Sequence, residues 1–208
     1  AQIVKQYGAS DEAAKMIAHA ETSKWNMTVY DAQVNLLRSQ TEAMSASLAG
    51  VNSLTVIPFD KSFKQSDTIS ERIARNQQLL LKEESHFDKI VDASAGSYYI
   101  ENLTDSLAQE AWKLFVETED KGGFLKTVMA GELQEAVKSS SLARRKALAQ
   151  RRDVLLGTNQ YPNTGEFAKD KVGTESSKCC CCGTSEKMVQ PLDFTRGATD
   201  FETLRLAT

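Results

Sequence analysis

Apolar residues along this chain recur at two spacings, and the alternation between them predicts its elements. Lys15 to His19 carries a short apolar run, Met16-Ile17-Ala18, that reads as a strand. From Asp31 to Ala49, Val34, Leu37, Met44 and Leu48 recur at helical spacing, and Gly50 suits the helix end. Asn52 to Ile57 reads as a second strand stopped by Pro58. A long helix is predicted from about Asp67 to Glu84, with Thr68 and Glu71 at capping-box spacing. Its inner stripe would be Ile69, Ile73, Leu80 and Leu81, with Ala74 on the narrow side. Lys89 to Val91 reads as a third strand. The helix from about Thr104 to Asp120 is expected to bury Leu103, Leu107, Ala111 and Leu114 and to end at Gly122-Gly123. Helical pieces over Phe124–Met129 and Leu133–Arg152 follow, then a fourth short strand, Val154-Leu155-Leu156, before Gly157.

Short strands alternating with long helices argue for parallel βα units and an α/β fold. Four strands make half of a (β/α)₈ TIM-type barrel, although the pattern alone suits a small open α/β sheet equally well. After Asn159 the character changes. Thr158 to Lys187 is rich in Thr, Ser, Gly and Lys and poor in aliphatics, which is linker composition. Apolar spacing returns over Phe194–Ala198 and Phe201–Leu206. The expected division is a barrel-like unit over 1–157, with an irregular linker and the start of a following region over 158–208.

The totals narrow the classes. A chain of 208 residues with 41% hydrophobic and 25% charged residues is long enough for a real core and ordinary for a globular domain. The net charge of −3 gives no reason to expect a nucleic-acid partner. No run approaches the roughly 18 apolar residues of a membrane span. The opening Ala1-Gln2-Ile3-Val4-Lys5-Gln6 lacks a leader pattern and reads as the end of a helix from a longer chain. The four cysteines are consecutive, Cys179 to Cys182, so no disulfide framework staples the fold. A reducing cytoplasm is the expected compartment.

Candidate chemistry is sparse. His19 ends a predicted strand, where a parallel α/β protein places its reactive groups, and an imidazole there could polarise a carbonyl; a hydrogen-bonded strand-end histidine is the competing reading. Cys179 and Cys182 have the spacing of a metal grip or a redox dithiol, but no second pair or histidines accompany them, which favours an exposed linker. Arg144, Arg145, Lys146, Arg151 and Arg152 could clamp phosphates or an acidic subunit surface, or simply be a solvated helix face. Gly96 before Tyr98-Tyr99 suits either a close backbone approach to a ligand or a tight turn.

Two segments, Ser70-Glu71-Arg72-Ile73-Ala74-Arg75-Asn76 and Asp92-Ala93-Ser94-Ala95-Gly96-Ser97-Tyr98-Tyr99-Ile100-Glu101, resemble in order and separation the back half of the substrate barrel of the methylmalonyl-CoA mutases. Ala43-Met44, Glu83-Glu84-Ser85, Ala111-Trp112 and Gly122-Gly123 also fit. The resemblance covers about residues 1–161, with a weaker echo at Phe201–Leu206. It implies a barrel fold and a radical rearrangement of a CoA thioester by adenosylcobalamin. It also implies that this chain carries only the C-terminal half of that barrel.

The resemblance fails where chemistry would sit. The family segment Arg-Thr-His-Ser-Gln-Thr-Ser-Gly-Trp corresponds here to Ile17 through Trp25. His19, Thr22, Ser23 and Trp25 are kept, but the arginine position holds Ile17 and the serine position Ala20. An arginine fork donates two parallel charged hydrogen bonds; isoleucine donates none. The family's Thr-Gln-Ser-Leu-His-Thr-Asn-Ala corresponds to Val51 through Pro58, with Asn52 for glutamine, Thr55 for histidine, and Val56 and Ile57 at polar positions. His19, Asn52 and Thr55 are thus the family-aligned substrate-binding candidates, and no catalytic residue is expected. The cobalamin signature Asp-x-His-x-x-Gly is absent, the histidines being His19 and His86. No cofactor is expected to bind this stretch itself. A kept scaffold with a lost site implies the catalytically silent small subunit of such an enzyme, a heterodimer partner for a homologous catalytic large subunit. The alternative is a piece of an active acyl-CoA mutase with altered acyl specificity. Half a closed barrel leaves two strand edges unpaired, so self-association is a further expectation.

Overall fold

The computed structural model describes residues 2–169, 171, 189–192 and 194–207. Its elements are α1 (Gln2–Gln6), β1 (His19–Glu21), α2 (Val34–Leu48), β2 (Ser53–Thr55), α3 (Thr68–Glu83), a 3-10 turn (Phe87–Lys89), α4 (Tyr98–Asp120), α5 (Phe124–Ala130), α6 (Glu132–Ala149) and α7 (Thr199–Ala207). β1 and β2 pair in parallel, with His19 opposite Ser53, Ala20 opposite Leu54 and Glu21 opposite Thr55. α2 is the crossover between them, so the sheet and α2 form a βαβ unit. The α/β class is therefore as expected, although helix dominates.

Two of the four expected strands do not form among the described residues. Lys89–Val91 leaves a 3-10 turn entered through left-handed His86 (φ 57°), and Val91 is 97% exposed with no neighbouring strand to pair it. At Val154–Leu156 only an isolated bridge, Leu156 to Gln160, remains. Side chains engage the backbone of this segment instead: Arg38 donates to the Leu156 carbonyl (2.7 Å), and buried Asn159 ties Leu155 to the residues before it. Its Oδ1 accepts from the Leu155 N–H (2.7 Å), and its Nδ2 donates to the Leu148 and Asp153 carbonyls (2.9 and 2.8 Å). The first strand also starts later than Lys15, because Met16 and Ile17 point into solvent and pairing begins only at His19.

Helix starts and faces differ too. Asp67, not Thr68, caps α3. Its carboxylate accepts from the Ile69 and Ser70 N–H groups, and Ser70 Oγ accepts from the Asp67 N–H (3.0 Å), a capping box one residue earlier than expected. The buried face of α3 is Ser70, Ala74, Gln77 and Leu81, while Ile69 is 69% exposed and Leu80 is exposed as well. On α2 the buried face is Asn35, Ser39 and Ala43, and Leu37, Met44 and Leu48 face outward. Ser39 and Gln77 join the two helices, with Gln77 Nε2 donating to the Leu36 carbonyl (2.8 Å) and to Ser39 Oγ (3.0 Å). α4 begins at Tyr98, six residues before its predicted start, because Ser97 is extended and Glu101 Oε1 accepts from the Gly96 N–H (2.8 Å). None of its residues is buried; Leu107 is 62% exposed, and Leu103 and Leu114 are likewise uncovered.

The core is three small clusters. One joins Ala43, Val56, Ala74 and Leu81 beneath the sheet, with Leu54 and Phe87 against it. A second holds Val29, Tyr30 and Ala168, and a third Leu148, Leu155 and Ala198 with Trp25 and Phe201. The second and third bring residues after Gly157 onto the loop between β1 and α2.

Candidate functional site

The C-terminal ends of β1 and β2 open on a cleft of about 230 Å³, lined in part by Glu21, Lys24, Thr55, Pro58, Lys61 and Glu71. Strand ends of a parallel sheet are where α/β proteins gather ligands. The parallel register puts His19, Ser53 and Thr55 on one face. His19 Nδ1 lies 2.7 Å from Ser53 Oγ and His19 Nε2 lies 3.3 Å from Thr55 Oγ1. Whichever nitrogen carries the proton, one hydroxyl can donate to the ring and the other accept from it. The imidazole is therefore held on both sides.

Asn52 has a different role. Its Oδ1 accepts from the Ala18 N–H (2.8 Å) and its own N–H donates to the Ala18 carbonyl (3.0 Å), so it closes the strand pair one step before β1. The structure thus brings His19 and Thr55 together, sets Thr55 alone of the three candidates in the cleft lining, and turns Asn52 onto backbone. Ser53 is the partner that sequence reasoning missed; once the strands are known to be parallel and in register, its two-residue spacing from Thr55 is enough to find it.

The positions aligned with family polar groups hold apolar side chains here, and Val56 and Ile57 line the cleft. Val56 and Ile57 are buried, Ile17 is in solvent, and the Ile57 N–H donates to Thr22 Oγ1 (2.8 Å). Trp25, kept from the family segment, packs in the third core cluster, with the Arg144 guanidinium 4.2 Å from its ring centre. Arg145 makes a forked pair with Asp200 (2.6–2.9 Å). Two members of the basic stretch are thus engaged within the chain. Tyr98 and Tyr99 stand exposed at the head of α4, and Gly96 has the positive φ (79°) that its turn requires. Cys179 and Cys182 lie outside the described residues, among which no group of three His, Cys, Asp or Glu side chains is placed to hold a metal ion.

The cleft's loops are tied by buried polar side chains. Asn35 Oδ1 accepts from the Thr28 N–H (3.0 Å), and its Nδ2 donates to the carbonyls of Thr28 (2.8 Å) and Phe59 (3.0 Å). One side chain on α2 therefore ties the loop after β1 to the loop after β2. Arg38 donates to Asn35 Oδ1 (2.7 Å) and to the Leu156 carbonyl (2.7 Å). Burial lowers its pKa, while Asp31 and Glu42 oppose that shift. Glu42 also accepts from the Ser23 N–H (2.7 Å).

Two parallel strands joined by a helix, with a cleft of mixed polar and apolar lining at their C-terminal ends, define a protein built on a βαβ unit. The family model described as Methylmalonyl-CoA mutase matches residues 1–179, and the chain belongs to that family. It is 56% identical over 210 aligned residues to a protein named methylmalonyl-CoA mutase small subunit from Porphyromonas gingivalis, covering all of this chain and 34% of that protein. It is 38% identical to the small subunit from Streptomyces virginiae, over 69% of this chain and 23% of that one. It is 34% identical to methylmalonyl-CoA mutase from Escherichia coli, over 77% of this chain and 22% of that protein. The chain spans about a third or less of the length of these relatives.

Proposed function

We propose that this chain is part of an adenosylcobalamin-dependent acyl-CoA mutase that interconverts methylmalonyl-CoA and succinyl-CoA, and that it belongs to a catalytically silent small subunit. That subunit pairs with a homologous catalytic large subunit in the cytoplasm and stabilises it by burying a large interface. The observation that carries the reading is the chemistry of the strand-end positions: Val56 and Ile57, at family-aligned polar positions, line the cleft as largely buried apolar side chains with no hydrogen-bonding group, and the Ile17 side chain faces solvent with no group to bind a phosphate or carboxylate. The names of the small-subunit relatives point the same way.

The residues present do not suit the cobalamin itself. Both ring nitrogens of His19 are engaged by hydroxyls, His86 lacks the ligand signature, and a cleft of about 230 Å³ falls below the roughly 300 Å³ at which small-molecule pockets begin. We assign no chemical step to this chain. No described helix is long and apolar enough to cross a membrane.

Within the subunit we assign residues 1–157 to the C-terminal half of a (β/α)₈ barrel and 158–208 to a linker and the start of a following region, of which Glu166, Ala168, Arg196, Ala198, Phe201 and Glu202 contact the first part. Parallel sheets occur almost only with both faces covered. Here His19, Glu21, Ser53 and Thr55 are exposed on one face, and the apolar stripes of α2, α3 and α4 are uncovered among the described residues. The remaining βα units of a closed barrel would cover them.

A second reading, an active mutase with altered acyl specificity, draws on the His19–Ser53–Thr55 cluster beside Lys24 and Lys61. Titration calorimetry of the complete subunit with methylmalonyl-CoA separates the two. The silent reading expects no binding; a Kd at or below about 1 µM, near −8 kcal/mol, would overturn it.

A further inference from the structure

Four alternate residues of the loop between β1 and α2 are held through their backbone by residues far downstream. The Trp25 carbonyl accepts from the Gly197 N–H (2.9 Å) and the Met27 carbonyl from Arg196 Nη1 (3.1 Å). The Val29 N–H donates to Glu202 Oε1 (2.8 Å), across 173 residues, and the Asp31 N–H to Glu166 Oε2 (2.7 Å). Arg196 and Glu202 pair with each other (2.8 Å), their side chains 9% and 3% exposed. Around them Ala198 and Phe201 pack with Trp25, and the Arg205 guanidinium stacks 3.7 Å from the Tyr30 ring centre.

We propose that residues 194–207 are a strap that positions the β1–α2 loop, with Glu202 as the positioning residue at its centre. The loop is irregular, so its backbone groups have no ladder or helix to satisfy them. The strap supplies the partners of Trp25, Met27 and Val29, the last in a buried setting where its loss is costly, while Glu166 holds Asp31 from outside the strap. Lys24, in the cleft lining, is bonded directly to Trp25, so the strap fixes one wall of the cleft from the far end of the chain. Any event that lifts α7 would then reshape the cleft, and an occupant of the cleft that needs Lys24 in place would, by reciprocity, favour a docked strap. The inference rests on the contacts themselves and does not depend on the mutase reading.

The test uses the whole 208-residue chain with Trp112, an exposed residue, replaced by Phe so that Trp25 reports alone. Glu202→Leu should shift Trp25 emission to the red and speed amide exchange over residues 27–31 by about 10- to 100-fold, while the amides of Ala43, Ala74 and Leu81 keep their protection. Glu202→Gln, which retains an oxygen for the Val29 N–H, should recover part of the protection. Equal acceleration throughout the core, or none at residues 27–31, would overturn the strap. Exchange of the chain without a Glu202 change, followed in increasing urea, gives an independent reading. Residues 27–31 and α7 should share one opening of lower free energy than the α2–α3 core; opening only with that core, or separately from α7, would also overturn it.

Discussion

Replacing Asn35 by Ala should damage this fold more than removing any exposed leucine. The Asn35 side chain is fully buried and serves Thr28 N–H, Thr28 C=O and Phe59 C=O together, besides accepting from Arg38. Thr28 C=O retains a second donor, Ser62 Oγ (3.2 Å). Truncation therefore strands one buried backbone group, Thr28 N–H, and one part-buried group, Phe59 C=O. At about 1–3 kcal/mol for each unsatisfied group, the expected loss is about 3 kcal/mol. Against a total of about 5–15 kcal/mol for a typical domain, that is a large displacement of the unfolding midpoint. Urea titration followed by far-ultraviolet circular dichroism measures it. Asn35→Asp should not rescue: it keeps an acceptor for Thr28 but sets a carboxylate oxygen against the Phe59 carbonyl. Ser62→Ala, which removes only one of two donors to Thr28 C=O, should cost about 1 kcal/mol or less. A loss below about 1 kcal/mol for Asn35→Ala would refute the claim that this side chain ties the two strand-end loops together.

Three further outcomes are expected. The Asp67 carboxyl is held at about 2, below its ordinary 3.8, by the Lys64 ammonium and then by the Ser70 N–H. Its folded value is depressed, so its stabilisation is complete above 3.8 and is lost as pH falls towards about 2; Asp67→Asn should flatten the acid limb of stability in that window, and NMR titration of the carboxyl checks the value. Gly157 has φ +76°, and a Cβ there would lie 3.2 Å from Asp31 Cβ; Gly157→Ala should cost about 1–3 kcal/mol by thermal melting, and an unchanged Tm would contradict the strained turn. Leu107→Lys should alter the stability of this chain by no more than about 0.5 kcal/mol, yet should block its assembly with the remaining βα units when the two are co-expressed; unimpaired assembly would remove α4 from that interface.

Much of the helical layout was legible, because breakers mark it. Gly50 (φ 72°) follows α2, and Gly122 (φ 102°) and Gly123 (φ 91°) close α4. The third and fourth strands were misread for a physical reason. A short apolar run is a strand only if a neighbour takes its hydrogen bonds, and at Val154–Leu156 side chains took two of them instead, Asn159 the Leu155 N–H and Arg38 the Leu156 carbonyl. Helix faces were misread in part because the apolar stripes of α2 and α4 lie outward, while polar Asn35, Ser39 and Gln77 share the inner face with Ala43, Ala74 and Leu81; periodicity assigns a face by hydrophobicity and cannot see a polar group buried with its partners satisfied. His19 and Thr55 were found as aligned positions, but their shared contact and the place of Ser53 needed the strand register. Glu202 was beyond reach, since nothing local in Phe201-Glu202-Thr203 announces a partner at Val29.

The central claim is membership of a silent subunit that works through a partner, and affinity capture of the full-length subunit from its own cell extract, with the captured chains identified by mass spectrometry, tests it most directly. The account predicts recovery of a larger homologous chain carrying the Asp-x-His-x-x-Gly cobalamin signature. Recovery of the subunit alone, or only with copies of itself, would contradict it and make His19 the first residue to mutate.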